Sequence, residues 1–257
     1  DRKHHGAPLL HEALVHSYNI PFVRVARHCG WEAMADRVEL AGLSLPLSPP
    51  PSFVLGAIEV TPLEIAEAYT TFSGRLGQRV RPVAFTHFQG SAGNALVRTH
   101  RRRVSSSASA WLVAQNLEAV VTRGTGRSAR LKGRAVRGKT GTSSDLRDAW
   151  FVAEVEGVVF VVWVGLDGGG RLGLTGSQAA APLFVRLVKS AGGVLNLETQ
   201  TQASVDYLDF NDLDIDFLNE DFLDAEAELE FTELDINYLD VNFLEDLLNV
   251  LDALALS

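Results

Sequence analysis

A cation, two hydroxyls and two glycines stand together at residues 138–142 (Gly-Lys-Thr-Gly-Thr), shortly before an apolar, strand-like stretch. If this segment is an edge strand, the alternation of side chains sends Lys139 and Gly141 to one face of the sheet. Thr140 and Thr142 then point to the other face. A glycine in such a strand leaves room for a ligand backbone to lie alongside it. The segment therefore predicts a groove that binds an anionic, peptide-like ligand by strand addition.

The same residues also fit the phosphate-loop pattern G-x-x-x-x-G-K-[ST], over residues 133–140. That loop needs a buried strand before the first glycine and a helix that opens at the Lys-Thr pair, so that helix N–H groups meet the phosphates. Here the preceding stretch, residues 123–132, is rich in Gly and Arg, and a strand follows instead of a helix. The flanking sequence therefore argues against a nucleotide-binding loop.

Charge is distributed very unevenly along the 257 residues. Residues 1–190 carry all 23 Lys and Arg against 14 Asp and Glu, whereas residues 191–257 carry 18 acids and no base. The chain therefore combines a basic globular part with an acidic end. The single Cys29 excludes an internal disulfide. No stretch approaches the roughly 20 apolar residues of a membrane-spanning helix.

Helices and strands alternate in a pattern that predicts an antiparallel sheet covered by helices. Helical spacing before and after Ser17 to Pro21 predicts two helices with a break between them, because proline is tolerated only in the first turn of a helix. The break places the short side chains of Ser17 and Asn19 where they can reach a cleft. Thr61 is expected to cap a helix that runs to about Phe72. Other helices are predicted at 31–40, 108–121 and 179–190, and strands within 79–97 and at 149–155 and 158–166.

Three motifs occur in a fixed order: Ser17-Tyr-Asn, then the Lys139 segment followed by Asp148-Ala-Trp-Phe-Val, then Trp163-Val-Gly-x-Asp. Over residues 1–195 the chain resembles the transpeptidase domain of penicillin-binding proteins, most closely that of the bifunctional class A enzymes. Several spaced motifs in the right order are more specific than any one of them. The resemblance implies an α+β fold of the serine β-lactamase/transpeptidase type, truncated at its N-terminus.

The resemblance also implies site residues: catalytic roles for Ser17, Asn19, Lys139 and Thr142, and substrate-binding roles for Thr140, Gly141 and Thr142. Ser17 would help to pass a proton to the leaving group, with support from Lys139, and Asn19 would hold the substrate amide. The threonine hydroxyls would bind the terminal carboxylate of a stem peptide or a β-lactam. The Thr142 backbone N–H would form half of an oxyanion hole. Taken alone, a Ser-x-Asn at a helix break is more often a local cap.

One part of the family pattern is missing. The acylated serine of the family lies in an S-x-x-K motif several dozen residues before S-x-N, whereas 16 residues precede Ser17 here. The residues three before Lys132, Lys139 and Lys189 are Ala, Val and Arg. We therefore expect the chain to be the C-terminal part of a longer protein, with nucleophile, glycosyltransferase domain and membrane anchor upstream, or else a non-catalytic relative.

The resemblance predicts a peptidoglycan D,D-transpeptidase that cross-links D-Ala-D-Ala stem peptides through a serine ester, at the outer face of the bacterial cytoplasmic membrane. Stem peptides and β-lactams are the expected partners. No cofactor, metal or nucleic acid is expected. The alternatives are a non-catalytic module that binds wall or β-lactam, a β-lactamase, for which no group that activates a deacylating water is apparent, and the nucleotide-binding protein.

The acidic end matches nothing in that family. After an expected linker at 196–203, residues 204–257 carry leucines at a spacing of five. Five residues rotate an α-helix by about 500°, so successive leucines would stand about 140° apart and could not share one face. We therefore expect this tail to be disordered or marginally structured, with a solenoid as the alternative.

Overall fold

The computed structural model describes residues 5–75, 77–83, 87–90, 93–96 and 99–191. The expected linker and acidic tail lie outside these residues, and the predictions for them stay predictions. Within the described ranges, no helix combines the length and the apolar character needed to cross a bilayer. The globular part matches the predicted α+β architecture, with six α-helices and seven short or medium strands in the part described.

The helices agree closely with those predicted from apolar spacing. They are α1 (Leu10–His16), α2 (Asn19–Cys29), α3 (Trp31–Leu40), α4 (Pro62–Tyr69), α5 (Ser107–Arg123) and α6 (Ala180–Ala191). Thr61 caps α4 as expected: its hydroxyl accepts the Glu64 N–H at 3.2 Å, and the Glu64 carboxylate accepts the Thr61 N–H at 2.8 Å. The reciprocal pair satisfies two N–H groups that a helix start would otherwise leave without partners.

The helix predicted from Thr61 to about Phe72 is confirmed in extent. Its α-helical part ends at Tyr69, and a 3₁₀ segment follows, Thr70–Arg75, in which Ser73 and Gly74 are not helical. The Thr70 hydroxyl accepts the N–H of Val80 at 2.7 Å, which ties the end of the helix to a neighbouring strand. A non-local contact of this kind overrides the local helical pattern.

The strands are β1 (Gln78–Val80), β2 (His87–Gly90), β3 (Gly93–Leu96), β4 (Arg101–Arg103), β5 (Arg137–Thr142), β6 (Ala149–Val155) and β7 (Val158–Val164). The main sheet has three antiparallel strands in the order β5-β6-β7. Two small ribbons, β1 with β4 and β2 with β3, complete the described strands. The strands predicted within 79–97 include β2 and β3, which pair with each other, whereas β1 pairs with β4 outside that region.

Apolar side chains form one cluster on each face of the main sheet. The first cluster fills the space between the sheet and helices α1 to α5 and includes Val152. The second lies between the sheet and α6 and includes Phe151 and Phe184. Since Lys139 pairs with Val152 and Thr140 with Phe151, the two β5 side chains belong to opposite faces, as their alternation predicted. Lys139 therefore faces the helical layer.

Candidate active site

Ser17 ends α1 in a left-handed conformation, with φ 58° and ψ 45°. Its N–H donates to the Leu14 carbonyl at 3.2 Å, and the next N–H, of Tyr18, donates to Ala13 at 2.8 Å. Asn19 then begins α2. A left-handed residue other than glycine costs roughly 1–2 kcal/mol, so the surrounding contacts must hold it there. The predicted break is confirmed, and it presents the Ser17 hydroxyl to the sheet.

The structure brings Ser17 together with Lys139, although 122 positions separate them. Lys139 is only 2% exposed, and its ammonium donates to the Ser17 hydroxyl and to the Thr140 carbonyl, the latter at 3.1 Å. A buried ammonium that donates to a hydroxyl can restore a proton which that hydroxyl gives away. Asn19, by contrast, is exposed, and its side chain makes no hydrogen bond within the described residues.

Gly124 and Thr125, to which the sequence assigned no role, connect the helix break at Ser17 to strand β5. The Thr125 N–H donates to the Val15 carbonyl at 3.2 Å, and its hydroxyl lies 2.8 Å from that of Thr140. At Gly124 a Cβ atom would clash with the same Val15 carbonyl oxygen. Both residues belong to the run Arg-Gly-Thr-Gly-Arg at 123–127. This run contributes to the family resemblance, but the sequence alone did not predict these contacts.

The Thr142 side chain is held by the segment that precedes α6. Its hydroxyl accepts the Gly176 N–H at 3.1 Å. A side chain at Gly176 would clash with the carbonyl oxygens of Gly141 and Trp150, so only glycine allows this approach. Because a hydroxyl has one donor and two acceptor positions, Thr142 keeps its hydrogen to donate to an anion. Gly176 is a third site residue that the sequence reasoning did not single out.

The outer edge of β5 is unpaired in the described sheet. Ser143, just after the strand, donates its N–H inward to the Asp148 carbonyl at 3.1 Å. Since residues of an antiparallel pair alternate between inward and outward backbone groups, the Thr142 N–H is directed to the outer edge. The edge thus offers an N–H and a hydroxyl beside the buried Lys139, which suits an extended, anionic ligand.

At the protein surface, one ion pair joins helices α1 and α5. Arg123, at the end of α5, donates to both carboxylate oxygens of Glu12 in α1, at 2.7 and 3.1 Å. The hydrogen bonds from Arg123 hold the pKa of the Glu12 carboxyl below its ordinary value. The pair joins the helix that ends at Ser17 to the helix that leads into Thr125.

Two arginines, one just before β5 and one at its first residue, pair with nearby carboxylates. Arg134 pairs with Glu156 at 3.5 Å, and Arg137 donates to Glu154 at 2.7 Å. The phosphate-loop alternative fails on geometry, because Lys139 lies within strand β5 and no helix opens there. In the part of the chain that the structure describes, no group of His, Cys, Asp and Glu could hold a metal ion.

A cavity of about 250 Å³ lies beside the site rather than at Lys139. It is bounded by residues on both sides of the helix break, among them His5, Tyr18, Ile20 and Arg24. The His5 and Tyr18 rings stack at a centroid distance of 3.7 Å. Neither Lys139 nor Thr142 lines this cavity, so the proposed chemistry depends on the open strand edge.

Residues 2–189 match the family described as the penicillin binding protein transpeptidase domain. The chain belongs to this family. The predicted resemblance and the predicted fold class are therefore confirmed. Curated relatives include penicillin-binding protein 1A of Aquifex aeolicus, 35% identical over 193 residues, covering 74% of this chain and 26% of the relative. Penicillin-binding protein 1B of Vibrio cholerae is 30% identical over 194 residues, covering 74% and 25%. The chain thus spans about a quarter of the length of these relatives.

Solved structures support the same fold. The D,D-transpeptidase domain of a peptidoglycan glycosyltransferase from Eggerthella lenta has a TM-score of 0.60 at 21% identity, covering 76% of this chain and 55% of that one. Penicillin-binding protein A of M. tuberculosis, described as an imipenem acyl-enzyme complex, has a TM-score of 0.57 at 24% identity, covering 72% and 48%. At these identities the likeness establishes the fold alone.

Proposed function

We propose that the chain is the C-terminal part of a peptidoglycan D,D-transpeptidase of the penicillin-binding type, which acts in the bacterial cell envelope. The observation that carries the proposal is the contact of the buried Lys139 ammonium with the Ser17 hydroxyl, next to an open strand edge. Family membership supports the same reaction, and the names of the relatives support penicillin binding and a role in peptidoglycan synthesis.

In the proposed reaction, a serine hydroxyl supplied by sequence preceding residue 1 attacks the carbonyl carbon of the penultimate D-Ala of a stem peptide. The bond from this carbon to the terminal D-Ala nitrogen breaks, which leaves a serine ester. The leaving amine takes a proton from the Ser17 hydroxyl, Lys139 restores it, and the proton that the attacking serine gives up replaces the one that Lys139 lost. An acceptor amine then attacks the ester and releases the serine. A β-lactam would be attacked at its ring carbonyl and would remain as the ester.

The strand edge supplies the binding groups. The outward Thr142 N–H would donate to the oxygen that becomes negative during attack, and the Thr142 hydroxyl would donate to the terminal carboxylate of the donor peptide. Thr140 would contribute through its paired hydroxyl with Thr125. Gly141 leaves the peptide room along the strand, and Asn19 is exposed at the helix break, where it would bind the substrate amide.

The test uses a fluorescent penicillin followed by denaturing electrophoresis. The chain of 257 residues should show no covalent label, because no S-x-x-K occurs in it. The protein translated from the native gene with its upstream sequence should form a stable labelled band. A labelled 257-residue chain would contradict the missing nucleophile, and an unlabelled longer protein would contradict the transpeptidase.

The missing S-x-x-K also supports a second candidate, a non-catalytic module that binds cell-wall peptide or β-lactam. This module would retain the β5 edge and lack the acylated serine. Upstream sequence without S-x-x-K, combined with saturable, non-covalent binding of a D-Ala-D-Ala peptide, would favour it over the enzyme.

A further inference from the structure

One carboxylate closes the loop that follows the candidate catalytic strand. Asp148 accepts the Ser143 hydroxyl at 2.8 Å through Oδ2 and the Trp163 indole N–H at 3.0 Å through Oδ1. Its own N–H donates to the Ser143 hydroxyl oxygen at 2.8 Å, and the Ser143 N–H donates to its carbonyl at 3.1 Å. Asp148 therefore links the first residue after β5 to strand β7, across the whole width of the described sheet.

The loop between Ser143 and Asp148 is strained. Asp145 and Leu146 are both left-handed, with φ 61° and 56°. Each left-handed residue costs roughly 1–2 kcal/mol, so such a loop persists only where contacts at its ends hold it. One of these contacts is the Leu146 carbonyl, which accepts the Gly173 N–H at 2.9 Å. Other contacts join the two ends of the loop, Ser143 and Asp148, through the carboxylate, the N–H and the carbonyl of Asp148.

The Trp163 indole, which donates to Asp148, is held in place by its neighbours. Trp163 packs near Trp150, with ring centroids 6.2 Å apart. A side chain at Gly165 would clash with the Trp163 ring, so the indole lies against bare backbone. Although Trp163 is 42% exposed, its N–H is directed to Asp148. The rigid indole therefore orients the carboxylate, which in turn orients Ser143.

Thr142 lies directly between two fixed points. Gly176 holds its hydroxyl, and the hydrogen bonds between Ser143 and Asp148 hold the residue that follows it. Gly176 thus fixes the Thr142 side chain, and Ser143 fixes the peptide plane that follows Thr142. Because both groups are attached to the Thr142 Cα, together they restrict the position of the Thr142 backbone nitrogen and so the direction of its N–H. Hydrogen bonds to a charged carboxylate are about twice as strong as neutral ones, which makes Asp148 an effective anchor.

We propose that Asp148 is a positioning residue of the acylation site, which acts through Ser143 to aim the Thr142 N–H and hydroxyl at the substrate, with Trp163 as its anchor. The inference rests on the proposed transpeptidase function and adds to it a residue that lies outside the groups contacting the substrate. Asp148 itself touches neither substrate nor the reacting atoms. Its removal is expected to misplace Thr142 without removing any of its chemistry.

The first experiment measures penicillin acylation of the protein with its native upstream sequence. Asp148→Ala should lower the rate constant of acylation by about ten- to a hundredfold, since an ångström-scale misplacement of reacting groups costs about that much. Ser143→Ala and Trp163→Phe should each cost less. Asp148→Asn should recover part of the rate, because its oxygen can still accept the Trp163 N–H. Asp145→Asn, in the same loop and tolerant of a left-handed backbone, is the matched control and should be unchanged.

A double-mutant cycle separates positioning from general stability. Ser143 and Trp163 each bond to Asp148, so their effects on acylation should be strongly non-additive and should vanish when Asp148 is already Ala. Additive effects, or an unchanged rate in Asp148→Ala, would overturn the inference while leaving the transpeptidase intact. Failure of the unmutated protein to be labelled would instead overturn the proposed function.

A second measurement needs only the 257-residue chain. Arg147 is exposed in the loop, so trypsin cleavage after it reports how firmly the loop is held. Trp163→Phe removes one anchor far from the cleaved bond and should accelerate this cleavage, measured by mass spectrometry. Trp111→Phe, on α5, leaves Trp163 and its ring neighbour Trp150 intact and should not. Equal rates in both variants would mean that the indole does not hold the loop, which contradicts the proposal.

Discussion

The two segments that carry the candidate site are held in opposite ways. Strand β5 is paired residue by residue with β6, from Arg137 with Glu154 to Thr142 with Ala149. The helix break has no such ladder: Ser17 is left-handed and depends on contacts that arrive from the end of α5. The comparison indicates that Lys139 and the threonines are rigid because of the sheet, whereas the position of Ser17 depends on a few distant residues.

Mutations on the two sides should therefore fail differently. A change on β5 should remove a chemical group and leave the remaining geometry in place, because the ladder with β6 persists. A change at the α5 end should keep every chemical group and displace the Ser17 hydroxyl from Lys139. The three predictions below test this difference: the first two include acylation of the protein with its native upstream sequence, and the third uses thermal melting of the chain.

The largest effect is expected for Lys139→Ala on the strand side. Loss of one preorganised electrostatic group typically costs on the order of a hundredfold in rate, and Lys139 is both buried and bonded to Ser17. Thr140→Val and Thr142→Val should each cost less, since each removes one hydroxyl of a set. The measurement is the rate of acylation by a fluorescent penicillin. An unchanged rate in Lys139→Ala would remove the role assigned to this strand.

The next effect is expected for Gly124→Ala on the helix side. The new Cβ would clash with the Val15 carbonyl oxygen, so α1 must shift, at a cost of about 1–3 kcal/mol of folding stability. Because Val15 lies two residues before Ser17, acylation should also slow although no catalytic group is lost. Thermal melting measures the loss of folding stability, and the rate of penicillin acylation measures the effect on the site.

Gly126→Ala is the matched control for this change. Its Cβ would approach the Val121 side chain at 3.2 Å, and the Val120 side chain and carbonyl oxygen at 3.3 Å, so these neighbours need to move by only a few tenths of an ångström. Gly126→Ala should therefore be milder in both measurements. If the two variants behave alike, the break is not held by the close approach at Gly124, and the contrast between the two sides of the site is weaker than the structure indicates.

The same contrast explains what the sequence could predict. Strand β6 matches the predicted stretch 149–155, and α3 matches 31–40, because each has a strong local pattern of apolar residues. The assignment of Lys139 to one face and Thr140 to the other follows from strand periodicity alone. The break at Ser17 follows from the restriction that Pro21 places on a helix. These features depend on neighbours along the chain.

The residues that the sequence reasoning missed depend on contacts between distant segments. Thr125 reaches Val15 and Thr140, Gly176 reaches Thr142, and Asp148 reaches Trp163. Thr125 and Asp148 each stood inside a motif of the family resemblance, but no periodicity of helix or strand assigns a partner across the fold. Only the three-dimensional arrangement gives these residues a role.

The smallest effect is expected at the surface pair between Glu12 and Arg123. Arg123 lowers the pKa of the Glu12 carboxyl, so the pair stabilises the folded chain above the ordinary pKa of a glutamate, about 4.3, and this contribution is lost as the pH falls through the lower folded value. Glu12→Gln should therefore melt slightly below the unmutated chain at pH 7, and the difference should disappear in acid.

The effect should be small because exposed ion pairs contribute little and salt screens them. His11 and His16 also lie near the Glu12 carboxylate, at 3.8 and 3.4 Å, so the comparison should be repeated in an Arg123→Gln background. If Arg123 is the main partner, Glu12→Gln should change little there at pH 7. A difference that persists in that background would assign the stabilisation to the histidines, and the link between α1 and α5 would then depend on backbone contacts such as that of Thr125 with Val15.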